Sequence, residues 1–329
     1  MKAYKLNYLI LVLLLASCQE KVRKGYDASV IDREKIDKAF GHDVSQVLFD
    51  HLYVVLDSIS YAQLTRHDFL KETYASVDAG LPDFRAVDDS ATSCYLRGHE
   101  HYIELLGPDN AYNEPVGKSG IGFALHNEGE HFHLGVTPKL KQKGTPYLSI
   151  SDTVDMPIRK EKTTWFKAFY SPSSGTALHT WYAFYNPASL DSLHEKEHKK
   201  YSREAFLKES YSKRQLFEGI NSINMTCTFK DYERIAQEMR QLGCKLISKE
   251  GKTLTIASGD VSIAIAPSDT IAFSRITEIR CSLNTSDIRV TKLGNLTISN
   301  TGTQSIWNLE NLYKANNHGT SLSADKAGP

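Results

Sequence analysis

The order of predicted elements repeats along this chain, and that repeat limits the fold more than any other feature. Residues 50–57 (DHLYVVLD) are rich in β-branched and aromatic side chains and end in a turn signal, which marks a strand. Residues 60–74 space Leu64, Phe69, Leu70 and Tyr74 at roughly helical intervals, with Ser58 or Ser60 as N-cap. Strands at 91–97 and 101–106 follow, joined by Gly98-His99-Glu100 and closed by Gly107-Pro108-Asp109-Asn110. The same order returns after residue 220. It comprises a strand at 223–229, a helix opened by Asp231 with Ile235, Met239 and Leu242 on one face, Gly243 as its stop, and strands at 245–248, 253–257 and 261–266. Regular alternation of strand and helix would give a parallel sheet. One helix followed by a meander instead predicts α+β with mostly antiparallel strands. Further strands are predicted at 120–126, 147–151, 165–170, 180–186, 276–283, 291–299 and 305–309, with a charged helix over 189–212.

The N-terminus carries a different signal. Lys2 and Lys5 precede the apolar run at 9–15, which is too short to span a bilayer. The run ends in Leu15-Ala16-Ser17-Cys18, a lipobox: small residues for the peptidase, then a Cys that receives lipid. The expected product is a bacterial lipoprotein anchored by lipidated Cys18, since several acyl chains on one residue anchor stably. Gln19 follows the Cys in place of the Asp of inner-membrane retention. This points to a lipid anchor in the cell envelope at the outer membrane or cell surface rather than the inner membrane. Loss of Lys2 and Lys5 turns the balance of 39 basic against 39 acidic residues into a mature net charge of −2. No basic excess speaks for a nucleic-acid partner. The expected partners are the bilayer and a small molecule. After Cys18, Cys94, Cys227, Cys244 and Cys281 remain; all lie in strand-like or apolar runs, as free thiols or bridges, without CxxC or Cys/His zinc spacing.

The expected organisation is a signal peptide at 1–17, lipidated Cys and tether at 18–47, an N-terminal region at 48–190, a helical linker at 191–219, a C-terminal βαβββ module at 220–312 and a disordered tail at 313–329.

Three segments carry a resemblance. They are His51-Leu52-Tyr53-Val54-Val55-Leu56, the hairpin from Cys94 to Leu105 (CYLRGHEHYIEL), and Gly117-Lys118-Ser119-Gly120-Ile121-Gly122-Phe123. With the βαβββ order, they resemble the glyoxalase or vicinal oxygen chelate superfamily, and most closely an uncharacterised bacterial family of DUF5829-like domains. The resemblance covers roughly residues 48–310. It implies repeated βαβββ modules packed as a half-open barrel around a cavity. It also implies that His51 and Glu104 are the first-strand and last-strand ligands of a divalent metal such as Zn, Ni, Mn or Fe. The alternation of side chains along strands agrees, because His51 and Tyr53 share one face, as do Tyr102 and Glu104. The sequence departs from the superfamily at Gly120, where a further His ligand is expected.

Other candidates are less specific. His99 and His101 flank Glu100 in a hairpin turn, either as surface residues or as an acid or base at a cavity mouth. His126, His131 and His133, with Glu128 and Glu130, are either a polar loop or additional metal ligands. Trp165, Phe166, Phe169, Tyr170, Trp181, Tyr182, Phe184 and Tyr185 form either packing between modules or a ligand-lining wall. Two function classes follow: a metal-assisted isomerase, lyase or dioxygenase, or a non-catalytic small-molecule-binding lipoprotein.

Overall fold

A computed structural model describes residues 47–81, 83–125, 150–158, 161–170, 178–199, 201–241 and 244–316. The lipobox, Cys18, the tether, the His126/His131/His133 cluster, Gly243 and the chain beyond 316 lie outside the described residues.

The first βαβββ module opens with β1 (Val47–Val55) and α1 (Ser58–Arg66), followed by a single π-helical turn, α2 (Phe69–Tyr74). Strands β2 (Ser76–Asp78), β3 (Ser93–Arg97) and β4 (Tyr102–Leu106) complete it. The N-cap of α1 is Asp57, one residue before the expected serines; its carboxylate accepts from the Ile59 and Ser60 amides, at 3.0 Å each. Strand β1 lies between β4, which runs parallel to it, and β5 (Ser119–Leu125), which runs antiparallel. Every residue of β5 is buried, as expected for a central strand covered on both faces.

Strands β5, β6 (Ile150–Ile158), β7 (Glu161–Tyr170) and β8 (Leu178–Tyr185) repeat the pairing of the first four, with β8 parallel to β5. One eight-stranded sheet results, in the order β2-β3-β4-β1-β5-β8-β7-β6. Two short helices follow, α3 (Pro187–His194) and α4 (Arg203–Leu207).

The next module is β9 (Phe217–Cys227), α5 (Phe229–Gln241), β10 (Lys245–Glu250), β11 (Thr253–Ser258) and β12 (Val261–Pro267), with β12 parallel to β9. A long hairpin, β13 (Arg275–Leu293) and β14 (Leu296–Asn308), extends this sheet to the order β10-β11-β12-β9-β13-β14, and α6 (Glu310–Asn316) closes it. Sequence periodicity divides β13 near residue 284, because Ser-Leu-Asn-Thr-Ser-Asp interrupts the apolar pattern. In the structure the ladder slips between Ser282 and Asp287 and then continues to Leu293, so β13 runs past the predicted end at 283, and the strand predicted at 291–299 is divided by the turn between β13 and β14. The last strand also begins earlier than expected, at Leu296. Helix α6 carries regular structure into the first residues of the expected tail, with Leu312 and Tyr313 buried.

The two sheets share a core. Leu52, Val54 and Phe123 from the first belong to the same apolar cluster as Ile223, Ile263 and Ile279 from the second. Buried polar groups fix how the sheets meet. The Arg234 guanidinium on α5 bonds Asp231 and Glu238 on its own helix and the Thr180 hydroxyl on β8, while the Tyr182 hydroxyl donates to Glu238 at 3.1 Å. Paired in this way, the buried charges satisfy one another; removing any one would strand its partners. The Trp307 indole donates to the Tyr74 hydroxyl, which donates to Ser305. All four described cysteines are free thiols.

Candidate functional site

The candidate residues His51 and Glu104 lie on the outer face of the eight-stranded sheet. At Phe49–His51 the β1–β5 register shifts by one residue. Such a bulge breaks strict alternation. It lets the adjacent Asp50 and His51 meet: the Asp50 carboxylate accepts from His51 Nδ1 at 2.6 Å, and the same oxygen accepts from the Tyr185 hydroxyl at 2.6 Å. Both residues are buried, at 3% and 6% exposure. Burial pushes the Asp50 carboxyl up. The bonds from His51 and Tyr185 and the nearby Arg203 charge outweigh this and hold it below the usual carboxylate range. With Nδ1–H donated to Asp50, the neutral form of this imidazole carries its lone pair on Nε2.

The His51 ring stacks on Tyr102 at 4.2 Å between centroids and meets Trp181 edge-on at 5.1 Å. Register places His51 opposite Tyr102 and Tyr53 opposite Glu104 on β4, and Glu104 opposite Tyr95 on β3. His51 and Glu104 therefore share one face, as the strand pattern predicted. Glu104 accepts from the Tyr95 hydroxyl at 2.8 Å. Burial raises its pKa, although the neighbouring His51 and the Tyr95 bond oppose the rise.

The glycines of β5 explain the missing ligand. Gly120 lies opposite Tyr53 on β1 and His179 on β8, and Gly122 lies opposite His51 and Trp181. A Cβ at Gly122 would stand 2.6 Å from the Trp181 ring, and one at Gly120 would collide with the Tyr53 ring. The space where a metal-binding side chain would stand holds aromatic rings instead. His179, which sequence reasoning missed, shares this face. Burial and the Lys118 and Arg234 charges pull its pKa down to about 4, so it is neutral at pH 7. Only its strand parity with Trp181 could have flagged it.

The aromatic concentration divides between faces. Tyr182 and Phe184 belong to the core shared with the second sheet, whereas Trp165, Phe166, Trp181 and Tyr185 pack on the outer face. Of Phe169 and Tyr170 only the backbone, in β7, is described. Part of the stretch expected as a linker covers this face. Leu190 and Leu193 of α3, Tyr201, and Phe206 and Leu207 of α4 join Tyr102 and Tyr185 in one cluster, with Tyr201 stacked on Tyr185 at 4.4 Å.

The hairpin histidines diverge. His99 is half-buried, its ring tilted against Tyr211 with 5.2 Å between centroids. His101 is buried, not a surface turn residue. Glu100, His101 and Asp260 each offer a donor atom within 4.8 Å of the others, a grouping that could hold a metal ion. Among the described residues it is the only such group; the donors of His51, Glu104 and His179 do not gather this closely. A cation already stands there. Arg203 bonds Glu100 at 2.6 Å and Asp260 at 3.2 Å, and its Nη1 lies 2.7 Å from His101 Nε2. The Ile220 amide lies 3.2 Å from His101 Nδ1, while the Arg203 guanidinium, which can only donate, covers His101 Nε2, the nitrogen that also faces Asp260 at 3.4 Å. A metal would need that nitrogen bare and the guanidinium displaced. Burial pushes the Asp260 carboxyl up, but His101 and Arg203 outweigh it and hold the carboxyl far below its usual range. The cluster is thus an ion-pair latch joining the β3–β4 hairpin, α4 and the β11–β12 turn. Among the described residues, Glu100, His101 and Asp260 could hold a metal ion only with Arg203 displaced, and His51 and Glu104 supply two donors.

Residues 49–309 match DUF5829, a family of unknown function. The chain belongs to that family. No curated protein matches it. Among solved structures it resembles a hypothetical protein from Staphylococcus aureus, at 10% identity and a TM-score of 0.40, covering 70% of this chain and 88% of that one. It also resembles a xylose isomerase-like TIM barrel/4-hydroxyphenylpyruvate dioxygenase fusion protein, at 10% identity and a TM-score of 0.37. That match covers 73% of this chain but only 36% of the fusion protein. The doubled βαβββ pairing itself makes the fold glyoxalase-like.

Proposed function

We propose that this DUF5829 protein is a lipid-anchored protein of the bacterial cell envelope that binds a small organic molecule on the outer face of its eight-stranded sheet. One observation carries the binding reading. His51 Nε2, the second oxygen of Glu104, the Tyr53 hydroxyl and the Trp181 indole N–H share this face, and none takes a hydrogen bond from the described residues. Tyr53, Glu104 and Trp181 are only half-buried. Unpaired polar groups among aromatic rings are the usual lining of a ligand site. The lipobox at Cys18 supports the anchor.

A second reading keeps catalysis. A carboxylate-oriented imidazole with its other nitrogen free is suited to moving a proton, so Asp50–His51 favours an acid–base role in which His51 takes a proton from the bound molecule. A metal-assisted isomerase, lyase or dioxygenase finds less support, because among the described residues Gly120 and Gly122 leave two donors on this face where three or four are needed.

Metal analysis of untagged protein, with and without His51→Ala, tests the binding reading against the metal-assisted one. The expected result is substoichiometric metal that the substitution leaves unchanged. Stoichiometric metal lost with His51 would overturn the choice. Labelling cells with a palmitate analogue tests the anchor, and label retained by Cys18→Ala would refute it.

A further inference from the structure

Charge on the outer face is unbalanced in one direction. Among the described residues, each cation beside it already has a carboxylate partner. Arg97 is bidentate to Asp78, through Nε at 2.8 Å and Nη2 at 2.9 Å, with its guanidinium among the rings of Tyr95, Tyr102 and Phe84. Arg203 is held by Glu100 and Asp260, and Lys118 pairs with Glu114. Asp50 accepts bonds from His51 and the Tyr185 hydroxyl and lies near the Arg203 charge. Glu104 is the exception. It has one neutral hydrogen bond, from Tyr95, and no cation pairs with it among the described residues. It stands between Tyr53 and Tyr95, with Tyr102 two residues away on the same strand face and Trp181 across the two glycines.

Aromatic faces are electron-rich and attract cations, more strongly when partly desolvated. A carboxylate set among them suits an ammonium group and repels an anion. The acceptors fit the same group. Glu104 offers a free oxygen and His51 a lone pair on Nε2, so two N–H bonds of a primary ammonium find partners while its charge lies over Tyr53 or Trp181. The Trp181 indole N–H and the Tyr53 hydroxyl remain as donors for a hydroxyl or carbonyl elsewhere on the ligand. A phosphate or carboxylate would meet no unpaired cation among the described residues of this face.

We propose that the ligand of this face is an organic ammonium compound, a protonated primary amine carrying an apolar or aromatic body, seated on Glu104 and His51 between Tyr53 and Trp181. This rests on the reading of the face as a binding site.

Three probes of one size test it: benzylamine, benzyl alcohol and benzoate, titrated into the folded domain while the 15N shift of the Trp181 indole is followed. At pH 7 they carry one positive, no and one negative charge. The expected order places benzylamine about tenfold or more tighter than benzyl alcohol, the difference between a charge-assisted and a neutral hydrogen bond, with benzoate weakest. Glu104→Gln should reduce the amine to the level of the alcohol. Equal shifts with amine and alcohol, or an amine preference that survives Glu104→Gln, would overturn the ammonium assignment while leaving the face a binding site. No shift at Trp181 with any probe at millimolar concentration would overturn both. The wild-type charge series decides the matter even if the variant does not fold.

Discussion

Replacing Asp50 by Asn isolates the charge that orients His51. Both of its strong bonds, from His51 Nδ1 and the Tyr185 hydroxyl, end on one oxygen at 2.6 Å. An Asn carbonyl can stand at that position and accept both, so geometry survives and only charge assistance is lost. Charge-assisted bonds are worth roughly 1.5–3 kcal/mol and neutral ones about 1 kcal/mol. Two bonds therefore put the Asp50→Asn cost at about 1–4 kcal/mol. Asp50→Ala strands two buried donors and should cost about 3–5 kcal/mol. Urea denaturation at pH 7 reads both. The sign with pH follows from the depressed folded-state pKa of Asp50. Its contribution is complete above the unfolded carboxyl value, about 3.9, and fades as pH falls through the lower folded value. The wild-type advantage over Asp50→Asn should thus hold from pH 7 to about 5 and shrink below about 4. Nitrogen shifts of the His51 ring provide the structural check, and the wild type should show a protonated Nδ1 and a bare Nε2. The opposite tautomer, or equal stability of wild type and Asp50→Asn at pH 7, would refute the orienting role.

Two further substitutions probe the surroundings. Gly122→Ala places a Cβ 2.6 Å from the Trp181 ring, so the indole must move; overpacking of this kind costs about 1–3 kcal/mol, and the near-ultraviolet circular dichroism should change with it. Unchanged spectra and stability would mean that Trp181 is not seated on the glycine. Arg203→Gln removes the cation that Glu100 and Asp260 share, and hydrogen exchange in 187–207 should rise more than in the core strands, more so at low salt. Uniform exchange across the protein would refute a local latch.

Much of the fold is legible in local sequence. The β-branched run in β1, the glycine turns at 251 and 259, and the apolar face of α5 with Ile235 and Met239 each signal their element through neighbours a few residues apart. The shared face of His51 and Glu104 follows from strand parity once β1 and β4 pair. Other features are not legible in this way. The β13 bulge looks like a strand end, because a polar interruption and a register shift have the same local pattern. Arg203 reads as one charge in a solvated helix, yet it lies against Glu100, His101 and Asp260, from distant parts of the chain.

The sequence by itself determined the βαβββ order and the shared face of His51 and Glu104, because propensity and alternation are set by adjacent residues. Tertiary structure decided what that pair can do. The bulge at Phe49–His51 turns Asp50 onto the imidazole, and the bare backbone of Gly120 and Gly122 admits the rings of Tyr53 and Trp181. Packing brings α3 and α4 down onto the same face, with Arg203 filling the nearby donor cluster. These outcomes depend on register and on contacts between residues far apart in the chain, which no local pattern encodes.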